Sequence, residues 1–430
     1  ELSNKIIREG VSMGNWFQEE VENEVGYKDI LEKANNGDFH EWNFKPFLGQ
    51  ETGYEDVMSE LRSYTAEEYN GYDEKYKEAK KAGNEEDALK YKEKMDTIVD
   101  RVLDIYRSKN IFPITYYSDL GVYSEIARCL DYEASFNGDT VSCGAGVGSG
   151  LCCWLFPNIF DTPSAHDLDK KGAETQYKKF LSDEYLRRAI KFCFSYKNGS
   201  PVPSAVDGGL RLVGSAPTNF RPMNAKAIYE RFCPKGGTIY DFCCGFGGRL
   251  LGALSSKNNY RYVGTDPCTE TMYHLHQLGE YIEQVTGREN SYELHCCGSE
   301  DFKGPKNSID FAFSSPPYFN LEVYSDEETQ CYNKFPVLED WLEGYVRKTI
   351  QNIGYMLKPG SVYAVNIADF TIKGKKEVAY VDEWIRLSKE EGMPLYDIVY
   401  LGVTARAGTK LQAQGEMKKE NILIFKKPLW

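Results

Sequence analysis

From about residue 201 onward, short apolar runs rich in β-branched and aromatic residues alternate with stretches of helical period. The runs are GTIYDF (237–242), YRYVGTD (260–266), SYELHCC (291–297), SIDFAFSS (308–315), SVYAVNIAD (361–369), LYDIVYLGV (395–403) and NILIFKK (421–427). Helical stretches separate the first five, which predicts a doubly wound α/β sheet. The last two follow one another directly and predict an antiparallel hairpin with a long loop, TARAGTKLQAQGEMKKE. Before residue 201 the texture differs. Residues 74–110 are charge-dense, and Met95, Ile98, Val99, Val102 and Tyr106 keep helical spacing, predicting one amphipathic helix that stops before Pro113. PVPSAVDGG, starting at residue 201, reads as a loop-like joint. The expected organisation is a mostly helical region over 1–200 and an α/β domain over 201–430. CGAGVGSG (143–150) has glycine at every second position but not the G-x-G-x-x-G spacing, and reads as a loop or tight hairpin.

Composition narrows the class. The chain has 430 residues and 41% hydrophobic content, enough for two or three domains. No apolar run reaches the roughly 18 residues of a membrane span, and ELSNKIIREG has no apolar h-region. The twelve cysteines include three adjacent pairs and no C-x-x-C. They read as reduced intracellular thiols, and no metal site is assigned, because Cys143, Cys152, Cys153 and His166 fit no common zinc spacing. The net charge of −14 argues at first against nucleic acid. Residues 1–200 carry 37 acidic and 25 basic residues, whereas 201–430 carry 28 and 26. The acidity therefore belongs to the first half, which leaves room for a protein partner there and for DNA at the second.

In open α/β sheets, ligands bind beyond the carboxyl ends of the strands. The first run ends at Asp241 and turns through FCCGFGG, where Gly245, Gly247 and Gly248 allow close backbone approach. The second ends on Asp266, 25 positions later, in the place of a ribose-binding carboxylate. GSEDF after the third offers Glu300 and Asp301, and the fourth ends in Ser315-Pro316-Pro317-Tyr318. No G-K-[ST] is present in the turn, so a nucleoside without a polyphosphate is the expected ligand.

APTNFRPMNAKAIYERFCPKGGTIYDFCCGFGGRLLGAL (216–254) resembles the cofactor half of the S-adenosylmethionine-dependent amino methyltransferases of DNA, and SSPPYF resembles their catalytic motif. YMLKPGSVYAVNIADF (355–370) and ENILIFKKP (420–428) resemble the strands that follow. The resemblance covers about residues 216–430, and residues 1–200 match no family. It implies a seven-stranded Rossmann-like methyltransferase sheet with an antiparallel last hairpin. It also implies S-adenosylmethionine as cofactor, held by Phe220, Arg221, Asp241, Phe242, Cys243, Gly245, Phe246, Gly247, Asp266, Pro267, Glu300, Asp301 and Phe302. Phe246 and Arg249 depart from the small Ser and the Thr of the family, and Cys243-Cys244 replace Pro-Phe. Ser315 to Tyr318 become the catalytic set, with Phe319, Asn320 and Arg406 on the substrate. The Ser315 oxygen and the Pro316 carbonyl would accept both hydrogens of an exocyclic amine, and Tyr318 would stack on a flipped base. Ser in the first motif position leans to N4 of cytosine over N6 of adenine, in DNA modification of the restriction type. An RNA base, a protein amide and an inactive cofactor-binding subunit stay open as alternatives. Target recognition falls to residues 1–200 or to the 319–343 and 404–420 loops.

Overall fold

The computed structural model describes residues 24–40, 51–162, 175–195, 199–213, 218–321, 323–372, 376–403 and 417–429. The chain forms two compact units: one of Glu1–Phe39, Gly121–Phe156 and Thr218–Trp430, the other of His40–Leu120 and Pro157–Pro217. The joint expected at residue 201 lies inside the second unit. There Pro203–Val213 is a helix. A proline in the first helical turn lacks only an N–H that has no partner anyway. Gly209 lets this helix approach its neighbour, since a Cβ there would sit 2.6 Å from the Ala189 carbonyl.

The second unit is helical. The helix expected over 74–110 is two, Ala66–Lys81 and Glu85–Ser108. Gly83 takes a left-handed φ of 73°, and the Asn84 side chain accepts the Asp87 N–H and so starts the second helix. Met95, Ile98, Val99, Val102 and Tyr106 are all buried, so the apolar stripe is a core face. The Tyr106 hydroxyl donates to the Pro201 carbonyl at 2.8 Å, and Tyr69 stacks on Phe194 with ring centres 4.9 Å apart.

The first unit is built on the sheet. Its strands are β1 (Phe136–Asn137), β2 (Thr140–Val141), β3 (Thr238–Asp241), β4 (Arg261–Thr265), β5 (Tyr292–His295), β6 (Ile309–Ser314) and β7 (Leu357–Ile367). A separate ribbon pairs β8 (Phe370–Ile372) with β9 (Lys376–Val378), and β10 (Leu395–Val403) and β11 (Lys418–Lys426) complete the set. The nine-stranded sheet runs β1-β2-β10-β11-β7-β6-β3-β4-β5. β5, β4, β3, β6 and β7 are parallel, and β11 lies antiparallel between β7 and β10. All seven expected strands are present in this Rossmann-like order; β1 and β2 add an unforeseen edge. The glycine run at 143–150 leads from β2 into the helix Ser149–Leu155, so it has the strand-to-helix setting that its spacing hides. The β5 to β6 connection contains no helix, unlike the alternation expected, and 296–308 cross as a loop.

Side chains of β6 alternate as a strand buried on both faces requires. Phe311 and Phe313 lie 6.0 and 5.9 Å from the Tyr229 ring, while Ala312 joins the cluster around Trp341, Trp384 and Ile350 on the other face. No helix among the described residues is long and apolar enough to cross a membrane.

Chain order reverses at β3. β4 and β5 extend to one side, β6 and β7 to the other. Ile239 and Tyr240 pair with Phe311 and Ala312, which brings the carboxyl ends of β3 and β6 side by side at the switch point where open α/β sheets bind ligands. Helix Gly248–Leu254 packs on helix Pro222–Phe232 through Gly252, where a Cβ would fall 2.3 Å from the Pro222 carbonyl. Gly252→Ala gains about 1 kcal/mol of helix propensity but forces two backbones apart, at a cost of about 1–3 kcal/mol. We expect a lower urea midpoint for this variant; an equal or higher midpoint would show that the helices can separate freely.

Candidate functional site

The turn after β3 is organised by a carboxylate with no exposure to solvent. Asp241 is fully buried. Its Oδ1 accepts from the Ser314 hydroxyl at 2.7 Å and the Cys243 N–H at 3.3 Å. Its Oδ2 accepts from Arg249 Nε at 2.9 Å and the Tyr262 hydroxyl at 2.7 Å. Arg249 is itself buried and also donates to the Cys243 carbonyl. Burial pushes its guanidinium down, but Asp241, Tyr229 and Tyr262 together push it further up, so it stays charged. Every acceptor position of Asp241 thus faces the protein. The expectation that it touches the cofactor gives way to a structural role: it ties β3, β4, β6 and the glycine turn together.

The turn itself leaves an opening. Gly245 has φ of 55°, and a Cβ there would meet only the end of Arg249, at 3.9 Å. Gly247 (φ 73°) and Gly248 serve packing instead: a Cβ would lie 2.7 Å from Leu278 and Phe156, and 1.9 Å from the Phe220 carbonyl, respectively. Asn219 Nδ2 donates to the Phe246 carbonyl at 2.6 Å, and Phe220 contacts Phe313 and lies under Arg249. Arg221 is the N-cap residue of helix Pro222–Phe232. Asp266, partly exposed at the β4 tip, accepts the Gly245 N–H at 2.8 Å and the Cys268 N–H at 3.0 Å. Burial raises its carboxyl to about 6 against those two bonds. Two N–H bonds leave further lone pairs on this carboxylate for a diol, so Asp266 and Gly245 form a cradle of the kind a nucleoside needs.

After β5, Glu300 and Asp301 share one cation. Lys334 Nζ lies 2.5 Å from Glu300 Oε1 and 2.6 Å from Asp301 Oδ2. Burial raises the Glu300 carboxyl, and its Oε2 has no partner. Phe302 and Phe242 are core residues, against His295 at 4.6 Å and Trp384 at 6.4 Å. The Cys243 thiol is raised by burial despite its bond to the Tyr345 hydroxyl at 3.1 Å.

At the β6 tip, Ser314 also donates to the Cys243 carbonyl at 3.1 Å, so Ser315–Tyr318 begin one residue from the glycine turn's anchor. Ser315 donates to the Asn366 carbonyl at 3.2 Å, which leaves its oxygen able to accept. The Tyr318 hydroxyl accepts the Ala368 N–H at 3.1 Å, and its ring meets Phe370 and Tyr380, each at 5.8 Å. Tyr380 in turn donates to the Pro317 carbonyl at 3.4 Å. Phe319 holds a left-handed φ of 50° and is buried against Trp341, so it braces the tip from the core instead of meeting substrate. Backbone strain of this kind persists where surroundings enforce it. Asn320 is exposed, and Arg406 lies outside the described residues. Among the described residues no group of His, Cys, Asp and Glu is arranged to hold a metal, and all twelve cysteines are unbridged.

Sequence reasoning missed Ser314, Tyr262 and Asn366. Arg249 was visible only as a departure from the Thr of the family that the chain resembles. An Arg at the head of the apolar stretch RLLGAL, eight positions after a strand-ending Asp, was the available signal.

No family model matches the chain, and no curated protein matches it. Solved structures give partial likenesses. The [4+2]-cyclase SpnF aligns at 14% identity over 49% of this chain and 82% of its own, with a TM-score of 0.34. A 1,6-didemethyltoxoflavin-N1-methyltransferase from Burkholderia thailandensis aligns at 11% over 47% and 76%, TM-score 0.31. A SAM-dependent methyltransferase from Methanosarcina mazei aligns at 14% over 47% and 98%, TM-score 0.33.

Removing one member of a buried ion pair leaves the other charge uncompensated, at a cost of about 3–5 kcal/mol. Arg249→Met is expected to lose that much in urea unfolding, and Asp241→Asn added to it should restore a large part. Additive losses in the double variant would show that the two side chains are not coupled.

Proposed function

We propose that this chain binds S-adenosylmethionine at the Gly245–Asp266 cradle and methylates the exocyclic amine of a flipped DNA base, N4 of cytosine ahead of N6 of adenine. The observation that carries the reading is Ser314, whose hydroxyl joins the β6 tip to Asp241 and Cys243. It puts the Ser315-Pro316-Pro317-Tyr318 acceptors beside the turn that would hold the cofactor.

Two features of the cradle fit that group: the open left-handed Gly245 and a carboxylate held by only two N–H bonds. When bound, S-adenosylmethionine supplies an electrophilic methyl group. The chain's own residues do the rest. Asp266 accepts the ribose hydroxyls. Ser315 Oγ and the Pro316 carbonyl accept the two amine hydrogens, which pushes nitrogen towards sp³ and aims its lone pair. The amine proton then leaves to solvent. Tyr318, fixed at its hydroxyl by Ala368, offers its ring to the base, and such stacking is worth about 1–3 kcal/mol. Positioning supplies most of the acceleration. In this reading residues 1–200 serve target recognition or a partner, and the protein works inside the cell.

A second reading rests on charge. Residues 320–343, just past the tip, hold seven acidic residues and one basic, which suits a protein amide better than a polyanionic nucleic acid.

Incubation with labelled cofactor and mixed DNA, RNA and protein, followed by nucleoside mass spectrometry, separates these. Label in DNA as N4-methylcytosine is expected; label only in protein, or nowhere, would sink the DNA reading. Ser315→Ala and Tyr318→Ala should each lower turnover about 100-fold or more while S-adenosylhomocysteine still binds. Because the Asp266 carboxyl sits near 6, above an ordinary aspartate, its ionised form is the minority only below that value. Cofactor affinity should hold above pH 6 and weaken as pH falls through it. Asp266→Asn should bind weakly with a flat pH profile, as titration calorimetry can test.

A further inference from the structure

The loop that leaves the Ser-Pro-Pro-Tyr tip does not run into solvent. It returns across both turns of the cradle. Tyr324 meets Phe246 of the glycine turn with ring centres 6.0 Å apart. The Thr329 hydroxyl donates to the Pro267 carbonyl at 3.0 Å, next to Asp266. Between them stands Glu327. Its Oε2 accepts the Thr269 N–H at 3.0 Å and the Ser325 hydroxyl at 3.2 Å. Its Oε1 accepts the Thr269 hydroxyl at 2.5 Å and Lys33 Nζ at 3.2 Å. Thr269 is the first residue of the 18-residue helix Thr269–Thr286, so Glu327 satisfies one of its free N–H groups at the positive end of the helix dipole. Asp266 takes the N–H of Cys268, the residue before. The same helix start therefore carries one carboxylate from the cradle and one from the loop.

We propose that Val323–Gln330 is a strap over the cofactor cradle and that Glu327 is its latch. The inference rests on the reading of Gly245 and Asp266 as a nucleoside site. A ligand held by Asp266 lies beneath a segment anchored at Phe246 on one side and Pro267–Thr269 on the other. It enters and leaves only when the segment lifts, and lifting requires Glu327 to release Thr269 and Lys33. Ser325 and Tyr332 lock the segment's own shape, since the Tyr332 hydroxyl donates to the Ser325 carbonyl. The strap begins five residues past Tyr318, beyond Phe319, which stays buried against Trp341, so unlatching opens the cradle while the transfer motif stays anchored.

Stopped-flow binding of S-adenosylhomocysteine to the full chain tests this. Glu327→Gln keeps the shape but loses the charge that holds Thr269 and Lys33. Both the association and the dissociation rate constants should rise about tenfold, with the dissociation constant within about threefold of the parent, because a gate changes rates in both directions. Lys33→Met, which leaves the Thr269 bonds in place, should raise both by less. Hydrogen exchange at the Thr269 amide should quicken in Glu327→Gln whether or not ligand is present. A rise in dissociation alone would mean that Glu327 merely supports the site, and unchanged rates would mean that the strap does not gate; either overturns the proposal. Failure of the parent chain to bind S-adenosylhomocysteine at all would overturn the nucleoside reading itself.

Discussion

The buried pair of Asp241 and Arg249 is the constraint on which the rest of the site depends. A carboxylate with no solvent exposure is tolerable only when each of its lone pairs is met. Here Arg249, Tyr262, Ser314 and the Cys243 N–H meet them. These partners come from the helix after the glycine turn, from β4, from β6 and from the turn itself. Satisfying one charge thereby fixes the relative positions of three strand tips. Buried ion pairs are weak sources of net stability, but this one defines where the turn must lie.

Around that fixed point the site divides into a rigid floor and a movable cover. The floor is the parallel strands β3, β4 and β6, with their side chains buried on both faces. Gly247, Gly248 and Gly252 permit contacts that any Cβ would block. The cover is the segment 323–330, held by Val323 against the core cluster, by Tyr324 on Phe246 and by the hydrogen bonds around Glu327. A segment tied down largely by hydrogen bonds opens at lower cost than strands packed on both faces.

Most of the fold was legible along the chain because period-2 and apolar-run signals are local. Seven of the nine described strands between 238 and 426 stand where the apolar runs stand, and the final antiparallel hairpin follows from the missing helix between its strands. What failed locally failed for identifiable reasons. Gly83 and Asn84 break the 74–110 helix by a left-handed turn and a side-chain cap, signals weaker than the charge pattern around them. The short β1–β2 ribbon has too few residues to show a period and exists because β10 offers β2 an edge. The joint read at 201 is a helix because its prolines and glycines suit a helix start and a close crossing as well as a loop.

For the site, the sequence by itself determined which groups stand at the strand tips: Gly245, Asp266, Glu300 and Ser315 to Tyr318 all follow a strand's carboxyl end. It could not determine which way each faces. Asp241 and Asp266 look alike in sequence, each closing a strand before a turn. Only the tertiary structure decided that Asp241 points inward to Arg249 and that Asp266 remains partly open. It also turned Phe242, Phe302 and Phe319 into core residues and brought Glu327 across to Thr269, 58 positions away. The reason is physical: burial and long-range hydrogen bonds are properties of neighbours in space. A strand's pattern fixes where its chain ends but not what waits for its last side chain there.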